Sequence, residues 1–522
     1  MTQTSFFSSA LVRRIALVLI FGAALAIRLY DLTDLPLDIH PTRQLLSAIK
    51  ARGLYYETEP DGVSTWKLET AIRQAKFKSE VEPVVFERLV AFTYRFTGEQ
   101  LWVARLYSSL FWLAGGVFLF LLVRDLVSFE GAILSTAYYL LFPYAVIASR
   151  SFQPDPLMVM LILSFWWVFS RWAASNPSPV RAERSGSEDE AGRGEQWMAA
   201  VLAGLLGGFA IFIKLPAAFF VIGGALGLAL SRFSFRELLR NLQVWVMALL
   251  GALPASAYLI YGMFIAGSFG RQFSGRFFPA LLVSPLNYLQ WETKASLAAG
   301  GIFIMLALLS LLLVRDQRMR IFLYGLWGAY LFYGLFFNYH VATHDYYHLP
   351  LIPIVAVSLA PLGEWSFARL TETSVRRWMR GAAYLILVYG LFSVVWDVRN
   401  QMKAVDYRPD AALWAEIGAQ FDEKARIVAL TQDYGSRLQY WGWRSAAVWP
   451  RVSDAEHISA RGGGFPFEKA FKRYSSQRDF FLVTDLAELE RQSELKERLL
   501  SSYPVYAEGN GYLIFDLQSP SQ

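Results

Sequence analysis

The chain has 522 residues, 55% of them hydrophobic and only 18% charged, with a mean hydropathy of +0.33. Soluble globular proteins carry about a quarter charged residues, and here the apolar residues gather in long runs, which excludes an ordinary soluble fold. The net charge of +6 resides mostly in short loops between those runs, so it does not argue for a nucleic-acid partner, and the lack of cysteine excludes disulfide and thiolate chemistry.

The first apolar run, near 12–30, opens with Arg13 and Arg14. Its length, the lack of a small-residue cleavage site and the many runs after it predict a retained helix rather than a secretory signal. Further runs follow near 101–123, 128–148, 156–173, 197–213, 215–231, 242–265, 295–314, 321–338, 347–363 and 381–398. The pattern predicts a polytopic α-helical membrane protein with about eleven transmembrane helices. The tightest division is "FIKLP", where Lys214 and Pro216 split one overlong run into a hairpin.

Loop charge sets the orientation. With the N-terminus inside, the inside loops hold most of the arginines. The short outside loops hold only Arg150, Lys214, Arg271, Arg276 and Lys294. The segment 174–196 reads as a flexible, charged inside loop. By parity, residues 31–98 and everything after about 399 fall outside.

The division expected is therefore a transmembrane domain over 1–399, with 31–98 as its first outer loop, and a small extracytoplasmic α/β domain over 400–522. In the first outer loop, "STWKLETAIRQAKFKSE" places Leu68, Ile72 and Ala75 on one face of an amphipathic helix suited to the bilayer surface. In the tail, "ALWAEIGAQF" has helical periodicity, while "ARIVAL", "FFLVTD" and "GNGYLIFDL" read as strands. The tail carries no recognisable catalytic or phosphate-loop motif.

The residues able to do chemistry cluster in the outer loops. Just past the first span, "LPLDIHPTRQLLSAIKARGLYY" puts Asp38, His40 and Arg43 within six positions. Solvation of Asp38, helix initiation at His40–Pro41 and headgroup contact by Arg43 account for these residues more readily than catalysis does. In "IASRSFQPDPLMVM", Asp155–Pro156 is a good helix start, and Arg150 ends a span where it could snorkel or meet a phosphate. Lys214 is a snorkelling lysine or an anion contact, and Arg276 has the same two readings. "FNYHVATHDYYHLPLIP" holds His340, His344 and His348. His344 and His348 have the i, i+4 spacing of metal ligands on one helix face, and Tyr346 and Tyr347 also suit an aromatic belt.

The order and spacing of "LDIHPTRQLLSAIKARGLYY", "FTGEQLWVARLYSSLFWLAGGVFLFLLVRDL", "PYAVIASRSFQPDPLMVML", "GGFAIFIKLPAAFF" and "THDYYHLPLIP" resemble the bacterial GT-C glycosyltransferases, the group of the protein O-mannosyltransferases and aminoarabinose transferases. The resemblance implies transfer of a sugar from a polyprenyl-phosphate donor to a lipid, glycan or protein acceptor outside the cytoplasmic membrane. It makes Asp38 the catalytic acidic residue of the first outer loop. His40, Arg43, Gln44, Arg150, Asp155, Lys214, Arg276, His344, Tyr346 and Tyr347 become contacts of donor phosphate or substrate. Many members have a second acid beside the first, where this chain has Ile39 and His40, which leaves a divalent metal open. The competing expectations are a polytopic transporter, another polytopic lipid-linked sugar enzyme and a non-catalytic lipid-linked-glycan scaffold. Against the transporter, no half-to-half repeat is evident.

Overall fold

The computed structural model describes residues 6–78, 82–175, 190–267, 269, 277–371, 377–460 and 464–520. The chain divides into two compact units. The first comprises residues 1–32, 80–85 and 102–404, and the second 33–79, 86–101 and 405–522.

The first unit is helical. Among the described residues, seven helices are long and apolar enough to cross a membrane, or eight if the pair Pro285–Ala299 and Gly301–Leu313, bent by 89°, is one span. The chain is a multi-pass membrane protein, and among the described residues three of the eleven expected runs do not form a single helix or bent pair of that length and hydropathy. The run near 128–148 breaks at Pro143 into Phe129–Leu141 and Pro143–Ala148, since proline supplies no N–H to continue a helix. Ala217–Leu230 has 14 residues, and Gln317–Phe336 opens with Arg318 and Arg320. The "FIKLP" break is present, with one helix ending at Ile213 and the next beginning at Ala217. The 89° bend falls at Gly300, whose φ of +76° suits glycine.

Small residues let these helices approach closely. A Cβ on Gly223 would lie 2.5 Å from Ala329 Cβ, and one on Gly227 would lie 2.9 Å from Phe322 Cα. Two buried arginines stitch the end of the first helix, Ala10–Leu29, to its neighbours. Arg28 donates to Ala24 O, Leu140 O and Ser149 Oγ at 2.9–3.0 Å. Arg150 donates to the carbonyls of Tyr30 and Asp31, both at 2.9 Å, and to Met402 Sδ. Of these acceptors, Leu140 O and Tyr30 O lie at helix ends, where carbonyls lack intrahelical partners.

The second unit contains a five-stranded sheet in the order β2-β1-β3-β5-β4. Its strands are β1 Ile427–Leu430, β2 Ala446–Val448, β3 Phe480–Val483, β4 Val505–Gly509 and β5 Tyr512–Asp516. β1 runs parallel to β2 and β3, while β5 is antiparallel to β3 and β4. Strand alternation separates two cores. Val428, Leu430, Phe481, Val483 and Phe515 pack with Trp449, Phe471, Leu495 and Leu499 on one face. Ile427, Ala429, Leu482 and Ile514 pack with Trp414, Ile417 and Leu438 on the other.

Helices Pro41–Tyr56 and Thr65–Lys76 pack together in the same unit. The packing buries Thr70, Ala71 and Gln74 of the second helix. The reason is Gly53, which lets the first helix press onto Ala71 and Ala75, so that helix–helix contact rather than hydrophobicity alone sets the inward face.

Candidate functional site

In the first unit, the site is built around two chain breaks. Asp155 opens the helix Asp155–Ser175, where the positive end of the helix dipole favours a carboxylate. Lys214 sits at the "FIKLP" break. Both are buried, at 1% and 7% exposure, and the ammonium lies 2.8 and 3.1 Å from the two Asp155 carboxylate oxygens. Glu82 Oε1 is 3.9 Å from the same ammonium. The rings of Tyr346 and Tyr347 lie 5.2 and 5.4 Å from it, within cation–π range.

The Lys214 ammonium thus has carboxylate partners within its own unit. It is enclosed by two carboxylates and two aromatic rings, because a buried ammonium needs its charge compensated. The structure brings Asp155, Lys214, Tyr346 and Tyr347 together, and adds Glu82, which lies far from the others in sequence. Arg150 is not part of this group: its guanidinium is buried and committed to backbone carbonyls.

The histidine segment differs from its expected form. His344 has extended backbone, with φ −128° and ψ 112°, and Asp345–His348 is a 3₁₀ turn. The i, i+4 argument holds only on an α-helix, so His344 and His348 do not form a helix-face pair. Each ring nitrogen of His348 also has a hydrogen-bond partner, Tyr330 Oη for Nδ1 and Val341 O for Nε2, each at 2.8 Å. The His344 ring lies 5.5 Å from that of Tyr346, and that of His340 5.1 Å from that of Tyr347, lining the aromatic wall. Among the described residues, no three His, Cys, Asp or Glu side chains converge so as to hold a metal ion.

In the second unit, Asp38 is half-buried in the turn before the helix Pro41–Tyr56. Its Oδ1 accepts from the backbone N–H of Ile39 at 3.1 Å and from Gln44 Nε2 at 3.2 Å. Gln44 is fully buried and also donates to Ile39 O at 2.7 Å, so one side chain fixes both the carboxylate and its loop. His40 takes a left-handed conformation, φ +44°, and its carbonyl accepts from the N–H groups of Arg43 and Gln44. That strain sits at the turn that aims Asp38. Arg276 lies outside the described residues.

Two lysines of this unit carried no signal in the sequence. Lys50 is buried at 7% exposure. Burial, and after it the nearby Lys50 charge, lowers the Lys78 pKa to about 8. Neither forms an ion pair among the described residues. Two cations with no carboxylate partner among those residues make a local positive field suited to an anion.

Residues 81–179 match the family model described as dolichyl-phosphate-mannose-protein mannosyltransferase. No curated protein sequence matches the chain significantly. Among solved structures, apo ArnT from Cupriavidus metallidurans superposes with a TM-score of 0.56 at 15% identity, covering 96% of this chain and 97% of that one. ArnT from the same organism bound to undecaprenyl phosphate gives 0.54 at 16% identity, covering 97% of both chains. The archaeal oligosaccharyltransferase AglB from Archaeoglobus fulgidus, in complex with an inhibitory peptide and a dolichol-phosphate, gives 0.53 at 12% identity, covering 97% of this chain and 74% of that one. Nearly the whole chain thus follows the path of these structures and shares their fold.

Proposed function

We propose that this protein is a membrane glycosyltransferase that moves a sugar from a polyprenyl-phosphate donor to an acceptor at the outer face of the cytoplasmic membrane. The observation that carries the reading is the Asp38 carboxylate, held by buried Gln44 in the turn after the first membrane helix, in a fold shared with an undecaprenyl-phosphate complex. The match of residues 81–179 to a lipid-phosphate sugar transferase family supports the same substrate class.

In this reading the bond between the anomeric carbon and the phosphate oxygen breaks, and the leaving phosphate keeps the electron pair. The acceptor oxygen or nitrogen forms the new bond from the opposite face, and Asp38 takes its proton, giving inversion. The charge growing on the phosphate needs preorganised cations. Lys50 and Lys78 suit that task best because no carboxylate among the described residues competes for them. Lys214 is assigned instead to orienting Asp155 within its own unit. Residues 1–399 would form the membrane domain, with the N-terminus inside, and 400–522 the outer α/β domain.

The test is transfer by purified protein in nanodiscs, using synthetic polyprenyl-phosphate sugars and an envelope acceptor fraction. The wild type should release polyprenyl phosphate, and the Asp38→Asn variant should do so at least about 100 times more slowly.

A further inference from the structure

The two compact units are not divided where the membrane spans end. The first loop, 33–79, belongs to the same unit as the C-terminal tail, and the contacts between them fall at particular places. Four residues before Asp38, the buried Asp34 carboxylate accepts the backbone N–H of Tyr407 at 3.0 Å. Four residues after Asp38, the Thr42 hydroxyl donates to Asp433 Oδ1 at 3.2 Å. Further along the same helix, the Arg52 guanidinium lies 3.7 Å from the ring centre of Tyr440 and 4.3 Å from that of Trp443, and pairs with Glu99 at 2.7 Å. The tail thus brackets the Asp38 turn on both sides and clamps the helix that follows it.

The tail is shaped to make the second of these contacts. β1 ends at Leu430, in the middle of the three parallel strands, the place where α/β sheets present functional loops. Directly beyond it, Asp433, Tyr434 and Gly435 are all left-handed, with φ of +52°, +51° and +73°. Two successive non-glycine residues in that region are costly and persist only where the surroundings impose them. Arg437 holds the Asp433 side chain here, donating to Asp433 Oδ2 and, at 2.6 Å, to Asp410 Oδ2. One Asp433 oxygen is locked by the tail's own arginine, and the other is turned to Thr42.

We infer that the C-terminal α/β tail is a positioning module for the Asp38 turn, with Asp433 and Thr42 as its positioning residues. The inference rests on the proposed role of Asp38 as base. The strained turn fixes the start of the helix Pro41–Tyr56, and Gln44, one turn into that helix, carries the constraint to the carboxylate. Asp34 and Tyr407 hold the other side.

The experiment uses the full chain in nanodiscs, with Thr42→Val, Thr42→Ser, Asp433→Ala and the double variant Thr42→Val/Asp433→Ala. Hydrogen exchange read across residues 35–44 should quicken at least about 10-fold in Thr42→Val and Asp433→Ala, with the helix Trp102–Leu126 unchanged and Thr42→Ser close to wild type. In the transfer assay, kcat should fall by up to about 100-fold with donor KM within twofold, because misplacement of a catalytic group by about 1 Å costs that much. The double variant should be no worse than either single one. Unchanged exchange over 35–44 in both single variants overturns the inference, whether or not turnover is seen. So does wild-type kcat in Thr42→Val when Asp38→Asn is inactive, an outcome that leaves the base assignment standing. Full activity of Asp38→Asn removes the base assignment and this inference with it.

Discussion

The Lys214 ammonium lies 2.8 Å from one Asp155 carboxylate oxygen and 3.1 Å from the other, both side chains being buried. A bidentate buried pair of this kind costs more to break than it is worth intact, because removing one partner strands the other charge away from water. Lys214→Met should therefore destabilise the protein by about 3–5 kcal/mol. Adding Asp155→Asn should recover most of that loss. Thermal unfolding in nanodiscs checks both, and a double variant as unstable as the single one would show that packing around Lys214, not charge, is what the pair supplies.

Lys78 gives a pH dependence with a definite sign. Its pKa falls from 10.5 to about 8 in the folded chain, through burial and then the Lys50 charge. The unfolded chain thus binds more protons than the folded one between these values, and stability should rise as pH increases from about 8 to 10.5. Lys78→Met should abolish that rise. Inorganic phosphate, if the lysine pair is an anion site, should protect the wild type more as pH falls through 8, when Lys78 becomes charged. Unfolding midpoints measured across this range with and without phosphate read out both effects.

Arg52 anchors the first loop within its unit, stacked on Tyr440 and Trp443 while paired with Glu99. Lysine can keep the charge but not the planar stacking. Arg52→Lys should cost about 2 kcal/mol, the worth of a desolvated cation–π contact. The measurement is the unfolding midpoint of the second unit, read through hydrogen exchange of the Pro41–Tyr56 amides.

The cysteine-free sequence makes the proposed orientation simple to check. A cysteine placed at Tyr434, which is 53% exposed, should react with a membrane-impermeant maleimide in intact cells. One placed at Ser175, exposed at the last position of the helix Asp155–Ser175, should react only after lysis. The reverse pattern would put Asp38 and the tail on the cytoplasmic side and end the proposed use of an outer-face acceptor.

Much of the helical architecture was legible, because spans are written as local runs of apolar residues and "FIKLP" marks its own break. The bend at Gly300 was not, although Gly300 and Gly301 stand together in the sequence: an apolar run records length, not direction. Spacing misled at His344 and His348, since i, i+4 means one face only where the backbone is α-helical, and here it is extended and then 3₁₀. Asp38 and Gln44 could be picked out because they are six residues apart in one loop. The Lys214–Asp155 pair spans 59 residues and Thr42–Asp433 spans 391, so only the folded chain shows them as partners. Lys50 and Lys78 carried no signal in the sequence either, and only burial draws attention to them.

The central claim concerns one carboxylate, and the most direct measurement is single-turnover release of polyprenyl phosphate by wild type and Asp38→Asn under saturating donor. Loss of a general base costs about 10²- to 10⁴-fold, so the variant should bind donor as the wild type does and turn it over at least about 100 times more slowly. Release by Asp38→Asn at a rate within twofold of wild type would contradict the account.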